Sequence, residues 1–164
     1  MSTPVEKALA RAIVVEIDAH DFYHSLAEQI ANSEARQKLQ NLAKAERGHR
    51  LLLEKRYQLL VGKPFDPGQI QGPGELMQAL ERANLHQRSD VLEVVEEAIK
   101  AEERAADFYK KQGEASSSDP EAKALYLELS QEENRHRTVL KREYDALVAS
   151  LYWFETVTSR PLED

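Results

Sequence analysis

Residues 39–60 read LQNLAKAERGHRLLLEKRYQLL, and the spacing of apolar and polar residues in this stretch is the main evidence for the predicted fold. Leucines recur in it at the spacing of a helix packed in a bundle, at positions 39, 42, 53 and 60. Continuing that spacing through the gap places Glu46 and His49 on the same buried face. Glu and His three residues apart project from one side of a helix. Because an unpaired buried carboxylate is costly, the pattern predicts a metal ion at this position.

The same intrusion of polar residues into an apolar helix face occurs a second time. Glu133 and His136 follow Glu46 and His49 at an offset of 87 residues, again between apolar positions. One Glu-x-x-His pair arises easily on the solvated face of a helix in a chain that is 31% charged. Two pairs at matching depth are hard to explain as surface chemistry, and they indicate a buried site.

The two pairs belong to a longer internal repeat. Asp21-Phe22-Tyr23 matches Asp107-Phe108-Tyr109 at an offset of 86, and Glu16 pairs with Glu102. Each half therefore reads as a helical hairpin with a Glu on its first helix and Glu-x-x-His on its second. Each acid lies 14 to 16 residues from its inter-helix turn, roughly 21–24 Å along a helix. The pattern predicts an all-α four-helix bundle in which six side chains converge.

The boundaries follow from composition and from capping signals. We expect one domain over residues 1–155, with hairpins at about 4–61 and 89–151 and a tail at 156–164. Residues 62–74 hold four of the six glycines and three of the six prolines, so 62–88 is a linker. It is long enough to cross the length of the bundle, and a short helix from Glu75 to about Gln87 fits within it.

Individual helix ends are also predicted. Thr3 and Glu6 form a capping box, and Asp119 caps the last helix. Ser33 and Ser89 are the expected caps of the second and third long helices, and Gly113 is the expected end of the third. The aromatic residues 152–154 are expected to dock on the bundle or on a second subunit.

Composition limits the function classes. The net charge of −7 argues against nucleic acid as a partner, and the chain has no cysteine for disulfides, thiolate sites or a nucleophile. No apolar run is long enough for a membrane span. The start of the chain lacks the basic-then-apolar order of a signal peptide, so the cytoplasm is the expected location.

Four carboxylates and two imidazoles at one level are typical of dinuclear carboxylate sites in bundles. Two divalent ions would balance the four negative charges. Oxygen-rich ligands with one imidazole per ion suit iron or manganese, and zinc would also bind. Glu46 and Glu133 are the expected terminal ligands, one per ion, each with its own His or with the His of the other hairpin, and Glu16 and Glu102 are the expected bridges between the ions.

At this point residues 5–150 resemble the erythrin-type ferritin-like proteins, the di-iron part of rubrerythrin. The resemblance implies that Tyr23 and Tyr109, seven residues beyond Glu16 and Glu102, hydrogen-bond the carboxylate ligands. Two features depart from the family. The sequence has no cysteine for a rubredoxin domain, and the extra glutamate of the third helix is replaced by Ala105. The second departure weakens the peroxidase interpretation.

The resemblance implies a di-iron oxidoreductase that oxidises Fe(II) with dioxygen or hydrogen peroxide, served by a separate electron donor and forming a homodimer. A dimanganese catalase-like enzyme and a non-catalytic iron carrier or structural metal bundle remain alternatives. His20, one turn beyond Glu16, is either an additional ligand or proton relay, or a hydrogen-bonded core histidine.

Overall fold

The computed structural model describes residues 1–149, and the expectation for Tyr152, Trp153 and Phe154 lies outside them. This part of the chain is helical and contains no strand. Its elements are α1 (Pro4–Gln29), α2 (Ser33–Val61), a 3-10 turn (Pro67–Gln69), α3 (Glu75–Arg82), α4 (Arg88–Ala115) and α5 (Pro120–Ala149). They divide into two units, one comprising Met1–Arg82 and the other beginning at Ala83. None of the helices within 1–149 is long and apolar enough to cross a bilayer.

In the first unit, α1 and α2 form a helical hairpin. The predicted capping box is present at Thr3 and Glu6, and Gly62 ends α2 in the left-handed conformation at φ 78°. The cap of α2 is Asn32 and not the expected Ser33, because the Asn32 side chain reaches the backbone N–H of Ala35. Between the helices, Arg36 donates to the carbonyl oxygens of Ile30 and Ala31, just beyond the end of α1.

The short helix α3 packs on α1 through one carboxylate. Asp18 accepts hydrogen bonds from the backbone N–H groups of Leu76 and Met77, at 2.9 and 3.1 Å. A side chain at Gly74 would collide with the Asp18 carboxylate, so glycine permits this close approach. Burial raises the pKa of Asp18, and the two backbone hydrogen bonds partly oppose that shift. Part of the linker is therefore fixed to the helix that carries Glu16.

In the second unit, α4 and α5 form the corresponding hairpin. Asp119 caps α5 as predicted, by accepting from the N–H of Ala122 at 3.1 Å. The expected cap at Ser89 is wrong, because α4 already begins at Arg88. The Arg88 guanidinium instead donates to carbonyl oxygens in the last turns of α5, at Leu147 and Val148. These bonds join the start of α4 to the end of α5.

Two further expectations differ from the structure. Helix α4 continues past Gly113 to Ala115, and Gly113 is buried. A Cβ placed there would lie 3.1 Å from the Leu127 side chain, so this glycine permits close packing of α4 on α5 and does not end the helix. Leu60 is 46% exposed, whereas Leu53 is fully buried. Leu60 lies in the last turn of α2, beside Leu59 at 69% exposure, where the end of the helix is not covered by the rest of its unit.

Candidate metal centre

The first unit gathers three buried ligand-type side chains from two helices. Glu16 lies on α1, and Glu46 and His49 lie one turn apart on α2. Their exposed fractions are 1%, 1% and 6%. Nδ1 of His49 is 3.2 Å from Oε2 of Glu46 and 3.6 Å from Oε2 of Glu16. We call these residues the first triad, and one ligand atom from each lies within 4.8 Å of the others.

The second unit repeats this arrangement with Glu102 on α4 and Glu133 and His136 on α5. The exposed fractions of these residues are 4%, 0% and 6%. Nδ1 of His136 is 3.0 Å from Oε2 of Glu133 and 3.8 Å from Oε1 of Glu102. This second triad again offers three ligand atoms within 4.8 Å of one another.

The chemistry of each triad fits a metal ion. Two carboxylates and one imidazole form an oxygen-rich donor set that iron, manganese and zinc accept. Buried acidic side chains are costly unless charge or hydrogen bonds compensate them, and a divalent cation supplies that compensation. The structure therefore brings together, within each hairpin, all three of the side chains that the sequence pattern predicts there.

The two tyrosines expected near the acids are also buried. Tyr23 is 0% and Tyr109 is 1% exposed, and each follows an acid of its own triad by seven residues. The Tyr109 ring stacks on that of Tyr126, with centroids 6.2 Å apart. Such packing fixes the position of a phenol while leaving its hydroxyl as a polar group in an otherwise apolar region.

His20 differs from the triad residues in its surroundings. Its side chain is 31% exposed, and its Nδ1 lies 3.0 Å from Oδ1 of Asp21. Its ring is stacked on that of His24, whose side chain is 59% exposed. His20 therefore lies toward the surface of α1, although it is only one turn from Glu16.

Two buried polar residues of α5 were not predicted. Ser130 donates to the backbone carbonyl of Ala106 at 2.8 Å, and Glu143 is only 6% exposed. Glu143 lies between the buried Leu140 and Leu147, three residues after the first and four before the second, and both steps reach the same helix face. The signal that could have predicted the burial of Glu143 is its position seven residues beyond His136, which continues the spacing of the buried face.

Three comparisons with known proteins bear on this site. The family model described as Rubrerythrin matches residues 7–64 and 93–159, which is more than half of the chain and includes both triads. A solved structure, described as a hypothetical protein from Pyrococcus furiosus, is 30% identical in sequence, with a TM-score of 0.73. That match covers 90% of this chain and 92% of the other. A comparison with curated proteins gives no significant match. The predicted all-α, ferritin-like fold class is thereby confirmed, and the chain belongs to the rubrerythrin family.

Proposed function

We propose that the two triads hold two iron ions and that the protein oxidises Fe(II) with dioxygen or hydrogen peroxide. The observation that carries this proposal is the recurrence of one buried Glu, Glu, His set in both hairpins. Membership of the rubrerythrin family supports iron as the metal. The charges agree, because four carboxylates and two Fe(II) ions give a neutral core.

Each group of the chain has a role in this proposal. Glu16, Glu46 and His49 of the first triad and Glu102, Glu133 and His136 of the second would hold the two ions. When bound, two Fe(II) ions supply two electrons, which with two protons reduce one hydrogen peroxide to two waters. The buried Tyr23 and Tyr109 hydroxyls orient the carboxylates and pass protons. The apolar residues around the triads keep bulk water out.

The proposal extends to partners and location. The 164 residues contain no cysteine, so a separate electron donor is needed to return ferric iron to the ferrous state. We place the protein in the cytoplasm as a homodimer. The exposed leucines of α2 support the homodimer, since Leu51, Leu52 and Leu59 are 55%, 47% and 69% exposed.

The experiment that tests the function combines metal counting with oxidant chemistry. The apo-protein is loaded with Fe(II) without oxygen, unbound iron is removed, and the bound iron is counted. Dioxygen or hydrogen peroxide is then added, and the near-ultraviolet absorption of ferric iron is followed. We expect about two irons per chain, since dinuclear bundle sites hold two ions. We also expect the absorption to rise on addition of at least one oxidant.

A matched pair of variants tests whether the iron is held by the buried triads and not by acidic residues at the surface. Glu102 is buried in the second triad, whereas its neighbour Glu103 is exposed and pairs with Arg137 at 3.5 Å. Glu102→Ala should lower iron content and abolish the ferric signal, while Glu103→Ala should change neither. Two bound irons that respond to neither oxidant would contradict the oxidase proposal. That result would favour a carrier or structural site, or a manganese enzyme, which hydrogen peroxide disproportionation by the manganese-loaded protein would reveal.

A further inference from the structure

The two hairpins are repeats, yet α1 carries two imidazoles that α4 lacks. At the offset of 86 residues, His20 corresponds to Ala106 and His24 corresponds to Lys110. Ala106 is buried at 4% exposure, whereas the His20 side chain is 31% and the His24 side chain 59% exposed. The second hairpin therefore has the same fold without imidazoles at these positions. Packing of the hairpin does not account for the two histidines on α1.

The spacing of the pair is that of a two-histidine chelate on a helix. His20 and His24 are four residues apart, and their rings are stacked, with centroids 5.9 Å apart and an interplanar angle of 7°, so both rings must turn from this parallel arrangement to share an ion. Two histidines at this helical spacing are a known arrangement for a transition metal. Nε2 of His24 lies 3.4 Å from Oε1 of Glu28. Two ligand atoms bound to one tetrahedral ion at about 2.1 Å lie roughly 3.4 Å apart, so this distance fits an edge of such a site.

Asp21 prepares His20 as a further ligand. Oδ1 of Asp21 is 3.0 Å from Nδ1 of His20. A carboxylate acceptor at Nδ1 favours a proton on that nitrogen, which leaves the lone pair on Nε2. Because the side chain is half-exposed, its ring can turn so that Nε2 approaches an ion held by His24 and Glu28. Metal-binding histidines commonly use such a carboxylate partner on the second nitrogen.

These residues also form a row that ends at the first triad. Glu16, His20, His24 and Glu28 are each four residues apart, so successive members are neighbours on α1 while the row turns gradually around the helix. The row runs from the buried Glu16, at 1% exposure, to the Glu28 side chain, at 68%. We propose that His20, His24 and Glu28 bind a divalent transition-metal ion at the surface and transfer it to the first triad. Only the transfer step depends on the proposed function, because surface binding requires no triad.

Surface binding is tested in a protein whose triads are disabled. Co(II) is titrated into the Glu46→Ala/Glu133→Ala variant, followed by visible absorption and by equilibrium dialysis. We expect one ion per chain to remain bound. Adding His20→Ala/His24→Lys, which copies the residues of the second hairpin, should weaken this binding at least tenfold. His86→Ala, which removes an exposed linker histidine, is the control and should leave binding unchanged.

Either of two results would overturn the surface site: no Co(II) retained by the triad-disabled protein, or undiminished binding after His20→Ala/His24→Lys. The transfer step is tested in the protein with both triads intact, by the rate of anaerobic Fe(II) loading. His20→Ala/His24→Lys should slow loading several-fold and leave the final iron content unchanged. An unchanged rate would overturn the transfer. Wild-type protein that binds Co(II) at the surface but no iron at the triads would contradict the proposed function while leaving the surface site intact.

Discussion

At the scale of the residue, each triad places charged groups where the helical pattern calls for leucine. Glu133 is completely buried, and its partner His136 is 6% exposed. Replacing a buried ionic pair with apolar side chains of similar volume is often neutral or stabilising, whereas removing one partner alone is harmful. Buried charged groups of this kind are typical of functional sites, which are often less stable than apolar packing would be.

Because apolar side chains would replace buried charged groups, we predict that Glu133→Leu/His136→Leu raises the free energy of unfolding of the apo-protein by about 1–4 kcal/mol. Urea denaturation in the presence of a chelator measures the change. Glu103→Leu, at an exposed position of α4, is the control and should shift the unfolding free energy by less than about 0.5 kcal/mol. A double variant less stable than the wild-type apo-protein would show that the charged pair stabilises the fold even without metal.

At the scale of the element, two helix-interior glycines have different surroundings. Gly48 stands between Glu46 and His49, and a Cβ built on it would meet no atom within 4 Å among the described residues apart from its chain neighbours and its own helix backbone. At Gly113, a Cβ would lie 3.1 Å from two carbon atoms of the Leu127 side chain. Glycine in a helix interior costs about 1 kcal/mol against alanine, so only close packing justifies it energetically. Such packing is present at Gly113.

Because a methyl group at Gly48 would meet no neighbouring helix, we predict that Gly48→Ala stabilises the protein by about 1 kcal/mol. Gly113→Ala should gain less or destabilise, because Leu127 must move to admit the methyl group. Chemical denaturation of both variants measures the difference between two chemically identical substitutions. A loss of stability in Gly48→Ala would mean that a neighbouring molecule or segment packs against this glycine in solution.

At the scale of the whole molecule, each half of the repeat carries one complete triad. The acids and the histidine occupy equivalent positions in the two units, and their exposed fractions differ by at most 3 percentage points. A metal that binds only the folded protein stabilises it by about 2.7 kcal/mol when its free concentration is 100 times Kd. Metal-dependent stability therefore reports on both halves in one measurement.

We predict that Fe(II), added anaerobically, raises the midpoint of thermal unfolding of the wild-type protein. Either Glu46→Ala or Glu133→Ala should remove a large part of that increase, because each removes a buried carboxylate from one triad. Glu103→Ala should retain the full increase. If Glu46→Ala removed the increase and Glu133→Ala preserved it, only the first triad would bind metal.

The helical class, the repeat, some of the helix ends and the burial of the six triad residues could be predicted from the sequence alone. This was possible because these features depend on spacing within one helix, where a side chain three or four residues away shares the same face. Helix capping is also local, since Thr3, Asp119 and Gly62 each bond to backbone groups within a few residues of their own positions. One leucine of the predicted buried face, Leu60, is exposed, because it lies in the last turn of α2.

Contacts between residues far apart in the chain could not be predicted from the sequence and are known only from the three-dimensional structure. Asp18 binds backbone groups 58 and 59 residues away, and Arg88 reaches carbonyl oxygens of α5. Gly113 is a packing residue because α5 approaches it, and nothing in its local sequence distinguishes it from a helix stop. His20 follows the spacing of the buried face, yet its side chain lies toward solvent beside His24. Local spacing fixes which residues share a helix face, but the packing of neighbouring helices decides how much of that face is covered.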